Sequence, residues 1–359
     1  MARESALQIL TCRRASPLKH HHRRPEPPPI FEKKAQRLSS PLTALDSSSG
    51  RAYGSYEEVL DDPKIEAAYI PLADELARAR GLAAAEKGKP LCLLEKPTRC
   101  VVLCRIGSIL RFAAQLIRFQ FKFHGYYLWM HHPRTAKMKE LLMDPTRFGQ
   151  LRTVNSIFTF AADPDFLEND IRVKPDLDAH GALGDAGWYC IRAILWATDY
   201  QLPNRAIALR NPILNTAGVI LACGSSLIWD DGKVATFHCS FLSHLTMEIT
   251  ALGTKGTLHL SDFIIPYEES SAEFSFSSNA GFDELVTRWD PMPSKHVVAT
   301  ESPQEVRMVA EFARLAAGIK RSGLEPERKW PEITRKTQLV LDAVKASIGK
   351  GFEAVEIVG

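Results

Sequence analysis

The stretch that decides how the chain is read is GALGDAGWYCIRAILW, residues 181–196. Glycines and small residues come first, then Asp185, then an apolar run at helical period. On a helix, Asp185, Tyr189, Arg192 and Trp196 fall at i, i+4, i+7 and i+11, along one face. A carboxylate and a phenol one turn apart, behind a glycine-loosened entry, can set a proton donor and its orienter against a ligand. A plainer role is open to the same residues: Asp185 as a helix cap and Tyr189 as a half-buried core side chain.

Outward from this stretch, composition sets the limits. The chain has 359 residues, 45% of them hydrophobic, enough for one large or two ordinary domains. A net charge of +3 gives no argument for nucleic acid. The charge is uneven: residues 1–37 hold nine Lys/Arg against three Glu. This Arg-, His- and Pro-rich head is expected to be disordered. Its basic character leaves organelle targeting open, although its prolines spoil an amphipathic helix. Seven cysteines without a C-x-x-C pair argue against a disulfide framework and for a reducing compartment, with the cytoplasm as the expectation. No uncharged apolar run reaches membrane-spanning length.

Toward the N-terminus, residues 33–45 suggest a short helix. Residues 53–62 suggest a turn and one or two helical turns capped by Ser55 and ended by Pro63. Residues 65–72 and 91–94 are short apolar runs suited to buried strands, with a helical pattern at 74–87 between them and Gly88 as its cap. Strand, helix and strand with short joints make a βαβ unit of a parallel sheet. Ligands of such sheets sit beyond the carboxyl ends of the strands. Those ends are Pro71-Leu72 and Glu95-Lys96-Pro97. Residues 98–123 then carry five basic residues and no acid. A basic amphipathic surface helix and a foreign or frame-shifted segment both fit that bias. His131 and His132 follow, but neighbours in a strand face apart and no third ligand is spaced for zinc.

Toward the C-terminus, residues 151–160 alternate as a strand, and 163–178 form a polar loop bearing Arg172. Candidate strands follow at 206–209, 218–229, 233–242, 246–252, 256–260 and 263–267, with hairpin signals at 230–232 and 253–256. They describe an antiparallel meander. Residues 270–300 look loop-rich. Helices are expected at 304–320, with Val306, Val309, Phe312, Ala313 and Ala316 inward, and at 331–347, with Ile333, Leu339, Val340 and Val344 inward.

In this order and spacing, YGSYEEVL, AAYIPL, AAAEKGK, LLEKP, GALGDAGWYC and GTKGTLHL resemble the glucose–fructose oxidoreductase / inositol dehydrogenase (Gfo/Idh/MocA) family. The dihydrodiol and D-xylose dehydrogenase branch is the most similar, together with plant-type members. The resemblance implies an incomplete Rossmann-like parallel sheet followed by an α+β domain with a large, open, mostly antiparallel sheet. It implies a basic tail over residues 1–35, a nucleotide-binding domain over 36–130, and a substrate and dimerisation domain over 131–359. It implies an NAD(P)-dependent oxidoreductase that passes hydride between nicotinamide and a small sugar, polyol or cyclic diol, and a homodimer through the open sheet. By position, Lys96 and Tyr189 become the catalytic pair and Asp185 their orienter. Pro71, Leu72, Glu95 and Lys96 become cofactor contacts, and Arg172 and His131 substrate contacts.

The chain also departs from that family. A G-x-G-x-x-G turn is missing, and the first 50 residues contain one glycine, Gly50. The family's helix and strand after Glu-Lys-Pro are not recognisable in residues 98–123. Ala77 stands where many members carry His. A catalytically inactive scaffold or dimerisation partner is therefore the competing expectation.

Overall fold

The computed structural model describes residues 55–63, 65, 67–70, 83–84, 87, 91–94, 122–125, 128–175, 180–284, 288–322 and 327–359. The expected tail, the helix at 33–45, Gly88, most of the helix at 74–87, and Pro71, Leu72, Glu95 and Lys96 lie outside these residues.

The first described helix, α1 (Tyr56–Asp61), starts where expected. The Ser55 hydroxyl accepts from the Glu58 amide at 3.2 Å, and Glu57 and Glu58 sit at the positive end of the helix. Strands β1 (Ala67–Ile70), β2 (Leu91–Leu94) and β3 (Lys122–Gly125) make a parallel sheet in that order. Ile70, Leu94 and Gly125 pair across it, so the three carboxyl ends are level. The parallel β1–β2 pair expected from the sequence is present. Strand β3 is a correction, because it closes the stretch that looked devoid of family structure. Charge bias says nothing about which backbone groups will complete the ladder of β2.

The second part begins with a 3₁₀ turn (Leu128–His131) and α2 (Pro133–Leu142), capped by His132. The two histidines are thus at a helix entry and not in a strand. Strand β4 (Leu151–Ala161) leads to α3 (Pro164–Asn169) and a 3₁₀ turn (Ile171–Val173), where the sequence suggested only a loop. A π-helical turn (Leu183–Gly187) runs into α4 (Trp188–Ala197). Then come β5 (Arg205–Ala208), β6 (Ile213–Leu214), β7 (Ile220–Ile228), β8 (Val234–Ser240), β9 (Leu242–Gly253) and β10 (Gly256–Leu260). Residues 270–300, expected to be loop-rich, hold β11 (Ser271–Ser278), β12 (Gly281–Glu284), β13 (Arg288–Asp290) and β14 (Ser294–Ala299). Helices α5 (Gln304–Ser322) and α6 (Lys329–Gly349) precede β15 (Val355–Glu356).

The large sheet runs β14-β11-β10-β9-β4-β8-β7-β5-β15, with β6 beside β7. It is not a simple meander. Strand β4 lies between β8 and β9, parallel to the first and antiparallel to the second. At Phe241 the chain passes from β8 to β9 over the end of β4, where the Phe241 carbonyl accepts from the Ala162 amide at 2.8 Å. Helix α4 is buried on nearly every side between this sheet and α6. Even Arg192 is fully buried, its Nε donating to Thr337 Oγ1 of α6 at 2.7 Å and its guanidinium lying over the Trp188 ring.

Two further expectations give way to side-chain pairing. Residues 263–267 are not a strand. The buried Asp262 carboxylate accepts from Arg134 Nη1 at 2.7 Å and from the Tyr267 amide at 2.7 Å, which folds this segment back. Arg134 also donates to the carbonyls of Asp262 at 2.9 Å and Glu273 at 3.0 Å. In α5 the inward row is Gln304, Met308, Phe312 and Leu315, while Val306 is 55% exposed. Gln304 turns inward because its amide donates to the Ile264 carbonyl at 3.1 Å, which rotates the stripe away from Val306. In α6, Ile333, Val340 and Val344 are buried as expected. Among the described residues no helix is long and apolar enough to cross a membrane.

Removing one member of a buried ion pair strands the other. Arg134→Ala is therefore expected to lower the free energy of unfolding in urea by about 3–5 kcal/mol. A loss below about 1 kcal/mol would contradict the importance given to this pair.

Candidate active site

The site is built where the chain enters α4. Gly181 has φ +55°, and a Cβ there would lie 2.1 Å from the Ile220 carbonyl oxygen and 2.7 Å from Val219 Cγ1. Only glycine permits both the left-handed backbone and this approach to β7. Gly187 meets β8 in a similar way, since a Cβ would be 3.1 Å from Cys239 Sγ. The turn between these glycines is π-helical, a local widening that recurs at functional positions. Asp185 sits inside it, buried. It does not cap the helix, because neither the π turn nor α4 has a side-chain cap bond.

Arg172 reaches Asp185 from the 3₁₀ turn after α3. Its Nε is 3.3 Å from Asp185 Oδ1, and its Nη1 donates to Asp170 Oδ1 at 3.1 Å. The same Asp170 oxygen accepts from the Arg172 amide at 2.9 Å, so one carboxylate fixes both the backbone and the head group of Arg172. Burial works against the guanidinium charge, but Asp185 and then Asp170 outweigh it and leave the pKa raised.

An aromatic row runs beneath these groups. The Tyr189 ring meets Phe158 edge-on at 5.7 Å, Phe158 lies 6.1 Å from Phe160, and Phe160 meets Phe166 edge-on at 5.6 Å. The Arg172 guanidinium lies 5.9 Å from the centre of Phe166. Strand β4 supplies Phe158 and Phe160, α3 supplies Phe166, and α4 supplies the half-buried Tyr189. The structure thus brings Arg172, Asp185 and Tyr189 to one place. It does not keep the four-residue face that straight helical spacing suggests. Arg192 turns to Thr337, and Trp196 packs edge-on against Trp129 at 5.8 Å.

His131 is elsewhere. It stacks on Trp330 at 5.1 Å, at the start of α6. Burial pushes its pKa down to about 4, Glu311 opposes this and Lys329 adds to it. His132 accepts from the Arg134 amide at Nδ1 (3.0 Å), so its Nε2 donates to the Glu269 carbonyl at 2.9 Å. Neither ring joins a metal cluster: among the described residues no group of three His, Cys, Asp or Glu side chains could hold an ion. The groups around His131 belong to the α5–α6 junction and not to the aromatic row, which weakens its case as a substrate contact.

Asp170 and Phe166 escaped sequence reasoning. The available signal was the D-x-R spacing of Asp170 and Arg172, which resembles an ordinary surface pair. Pro71, Leu72, Glu95 and Lys96 lie outside the described residues; the strands they follow end level with each other, at Ile70 and Leu94.

With its pKa pushed down to about 4 by burial, folded His131 binds less proton than the unfolded chain's imidazole between about pH 4 and 6.5. Stability is therefore expected to fall as pH drops through that window. The ring signals of His131 in an NMR titration should stay constant above about pH 5.5. A midpoint near pH 6.5 would contradict the buried, neutral assignment.

Comparison with known proteins follows the same outline. The GFO/IDH/MocA C-terminal domain is matched over residues 135–259. The D-xylose 1-dehydrogenase (NADP(+)) 2 of Haloferax volcanii is 29% identical over 251 residues, 68% of this chain and 70% of that protein. The mouse trans-1,2-dihydrobenzene-1,2-diol dehydrogenase is 28% identical over 219 residues, 61% of this chain and 62% of its own. Among solved structures, a 3-ketoreductase from Actinomadura kijaniata in complex with NADP and TDP-benzene superposes with a TM-score of 0.69. At 20% identity, over 88% of this chain and 86% of that one, it shows the fold alone. Residues 135–259 are thus similar to the C-terminal domain of the GFO/IDH/MocA family, in keeping with the motifs of the sequence.

Proposed function

We propose that the chain is an NAD(P)-dependent oxidoreductase acting on a carbinol or carbonyl carbon of a small sugar, polyol or cyclic diol. The observation that carries this reading is the Arg172–Asp185 pair, held by a π-helical turn one turn before Tyr189. The named relatives, a D-xylose dehydrogenase and a dihydrodiol dehydrogenase, support it.

The described residues fit a nicotinamide dinucleotide in one respect. The parallel strands β1, β2 and β3 end level, and such an edge is where ligands of open parallel sheets lie. Pro71, Leu72, Glu95 and Lys96 follow β1 and β2 directly and are the residues assigned to hold the cofactor. When bound, the nicotinamide supplies the acceptor or donor of hydride. The chain's own side chains handle the proton. In the oxidation direction the Tyr189 phenolate takes the hydroxyl proton, and in reduction the phenol returns it. A phenol ordinarily titrates near pH ~10, and the role assigned to the Lys96 ammonium is to favour the phenolate. Asp185, fixed by Arg172, orients Lys96 and the substrate hydroxyl. The aromatic row at Phe158, Phe160 and Phe166 offers apolar surface to the C–H face of such a substrate. In this reading residues 36–130 hold the nucleotide, 131–359 hold the substrate, and the open face of the large sheet pairs two copies. The buried free thiols of Cys190, Cys223 and Cys239 suit a reducing, cytoplasmic setting.

One observation favours a second reading, an inactive scaffold: the first 50 residues hold a single glycine, too few for the phosphate-binding turn. A fluorescence titration with NADPH and NADH separates the two. The enzyme reading expects saturable binding of at least one of them below about 1 mM. Lys96→Met and Tyr189→Phe should then each lower kcat by about 10²–10⁴-fold while shifting cofactor affinity by less than about threefold. No binding at millimolar cofactor, or full turnover in either variant, would overturn the enzyme reading.

A further inference from the structure

Arg172 is an unusual choice for a site that takes uncharged sugars. A guanidinium facing a pocket recruits carboxylates and phosphates, because its planar fork matches them in two bonds at once. Here two of its three edges are already used. Nη1 is committed to Asp170 and Nε to Asp185. Nη2 has no partner among the described residues, and the side chain is 39% exposed. Its two N–H groups are what a ligand meets.

We infer that Asp170 is a specificity-determining residue: by offsetting the charge of Arg172 it makes this site accept hydroxyl oxygens at Nη2 and reject anionic groups. The inference rests on the proposed function, and goes beyond it by assigning substrate charge to one residue outside the catalytic trio. Two carboxylates against one guanidinium leave the cluster with one net negative charge. Asp185 is needed to orient the reacting groups, so the charge free to set selectivity is that of Asp170. Its position is not that of a solvated surface acid. The Asp170 side chain is about three-quarters buried and holds both the Arg172 amide and Nη1. The aromatic row adds C–H-compatible surface below the same guanidinium, as a sugar or cyclic diol requires.

Without the Asp170 charge, an anion at Nη2 would meet the neutral Arg172–Asp185 pair in place of a cluster with one net negative charge. A unit charge a few ångströms away near a protein surface changes affinity by about tenfold or more. Asp170→Asn keeps the shape and the amide-capping oxygen, so the local turn is retained. Asp170→Glu keeps the charge and serves as the rescue.

The test uses the full chain loaded with NADP+, the form that accepts hydride from a sugar carbinol. D-Glucose and D-glucuronate, which differ by a hydroxymethyl against a carboxylate, are compared by saturation-transfer NMR and, where turnover occurs, by kcat/KM. Acetate is titrated separately while the ¹⁵Nε signal of Arg172 is followed, which needs no turnover. The wild type is expected to prefer glucose and to show no saturable response to acetate. Asp170→Asn should move the glucose-to-glucuronate ratio toward glucuronate by about tenfold and give a saturable acetate response. Added salt should weaken both effects, and Asp170→Glu should restore the wild-type pattern. An unchanged ratio and no acetate response in Asp170→Asn, with thermal unfolding like the wild type, would overturn the inference. If NADP+ binds and a sugar turns over in that case, the proposed function stands and only this inference falls. If neither NADP+ nor sugar binds the wild type, both fall.

Discussion

The close approach of Gly181 to the Ile220 carbonyl governs the rest of this structure. It fixes where α4 begins and how nearly its first turns press on the sheet. A side chain at 181 would overlap a backbone oxygen that cannot move without breaking β7 from its neighbours. A residue held at positive φ costs about 1–3 kcal/mol unless it is glycine. Once the entry is fixed, the π-helical turn packs on β7 and β8, and Asp185 within it meets Arg172. The helix then continues with Tyr189 turned to Phe158 and Arg192 turned to Thr337. One tight glycine thereby orients a carboxylate, a phenol and the main helix–helix contact together.

The chemistry follows from how charge is managed in that corner. Asp185 sits buried in the first turn of the π-helical segment, and its described charge partner there is Arg172. Arg172 in turn comes from a three-residue turn that is stable because Asp170 holds it at two points. Asp185 is thus backed by a second acid through Arg172, and Tyr189 packs on a row of phenyl rings from two other elements. Each belongs to a different part of the chain, and the long-range pairing of β4 with β8 and β9 is what assembles them.

Much of this was legible in the sequence where local chemistry decides the outcome. Ser55 capping, the parallel β1–β2 pair, the hairpin at Asp230–Gly232 and the strand 256–260 all follow from short patterns. What was not legible depended on distant partners. Nothing near residues 151–161 says that this strand inserts between two others that follow each other in the chain. Residues 263–267 are apolar and read as a strand, yet the Arg134–Asp262 pair holds them otherwise. Val306 looks inward until the Gln304 amide finds the Ile264 carbonyl. The π turn changes no hydropathy pattern, so only its glycines hint at it. Asp170 was invisible because a D-x-R spacing does not reveal which carboxylate the arginine meets on its other edge.

The central claim is that the Lys96 ammonium and the Tyr189 phenol share one pocket beside a nicotinamide ring. A crystal structure of the NADP complex measures this directly. The account expects Lys96 Nζ and Tyr189 Oη to lie within about 3.5 Å of each other, or joined by one water, on the side of Asp185 that faces the dinucleotide. A separation above roughly 10 Å, too far for proton transfer or pKa tuning, would contradict it.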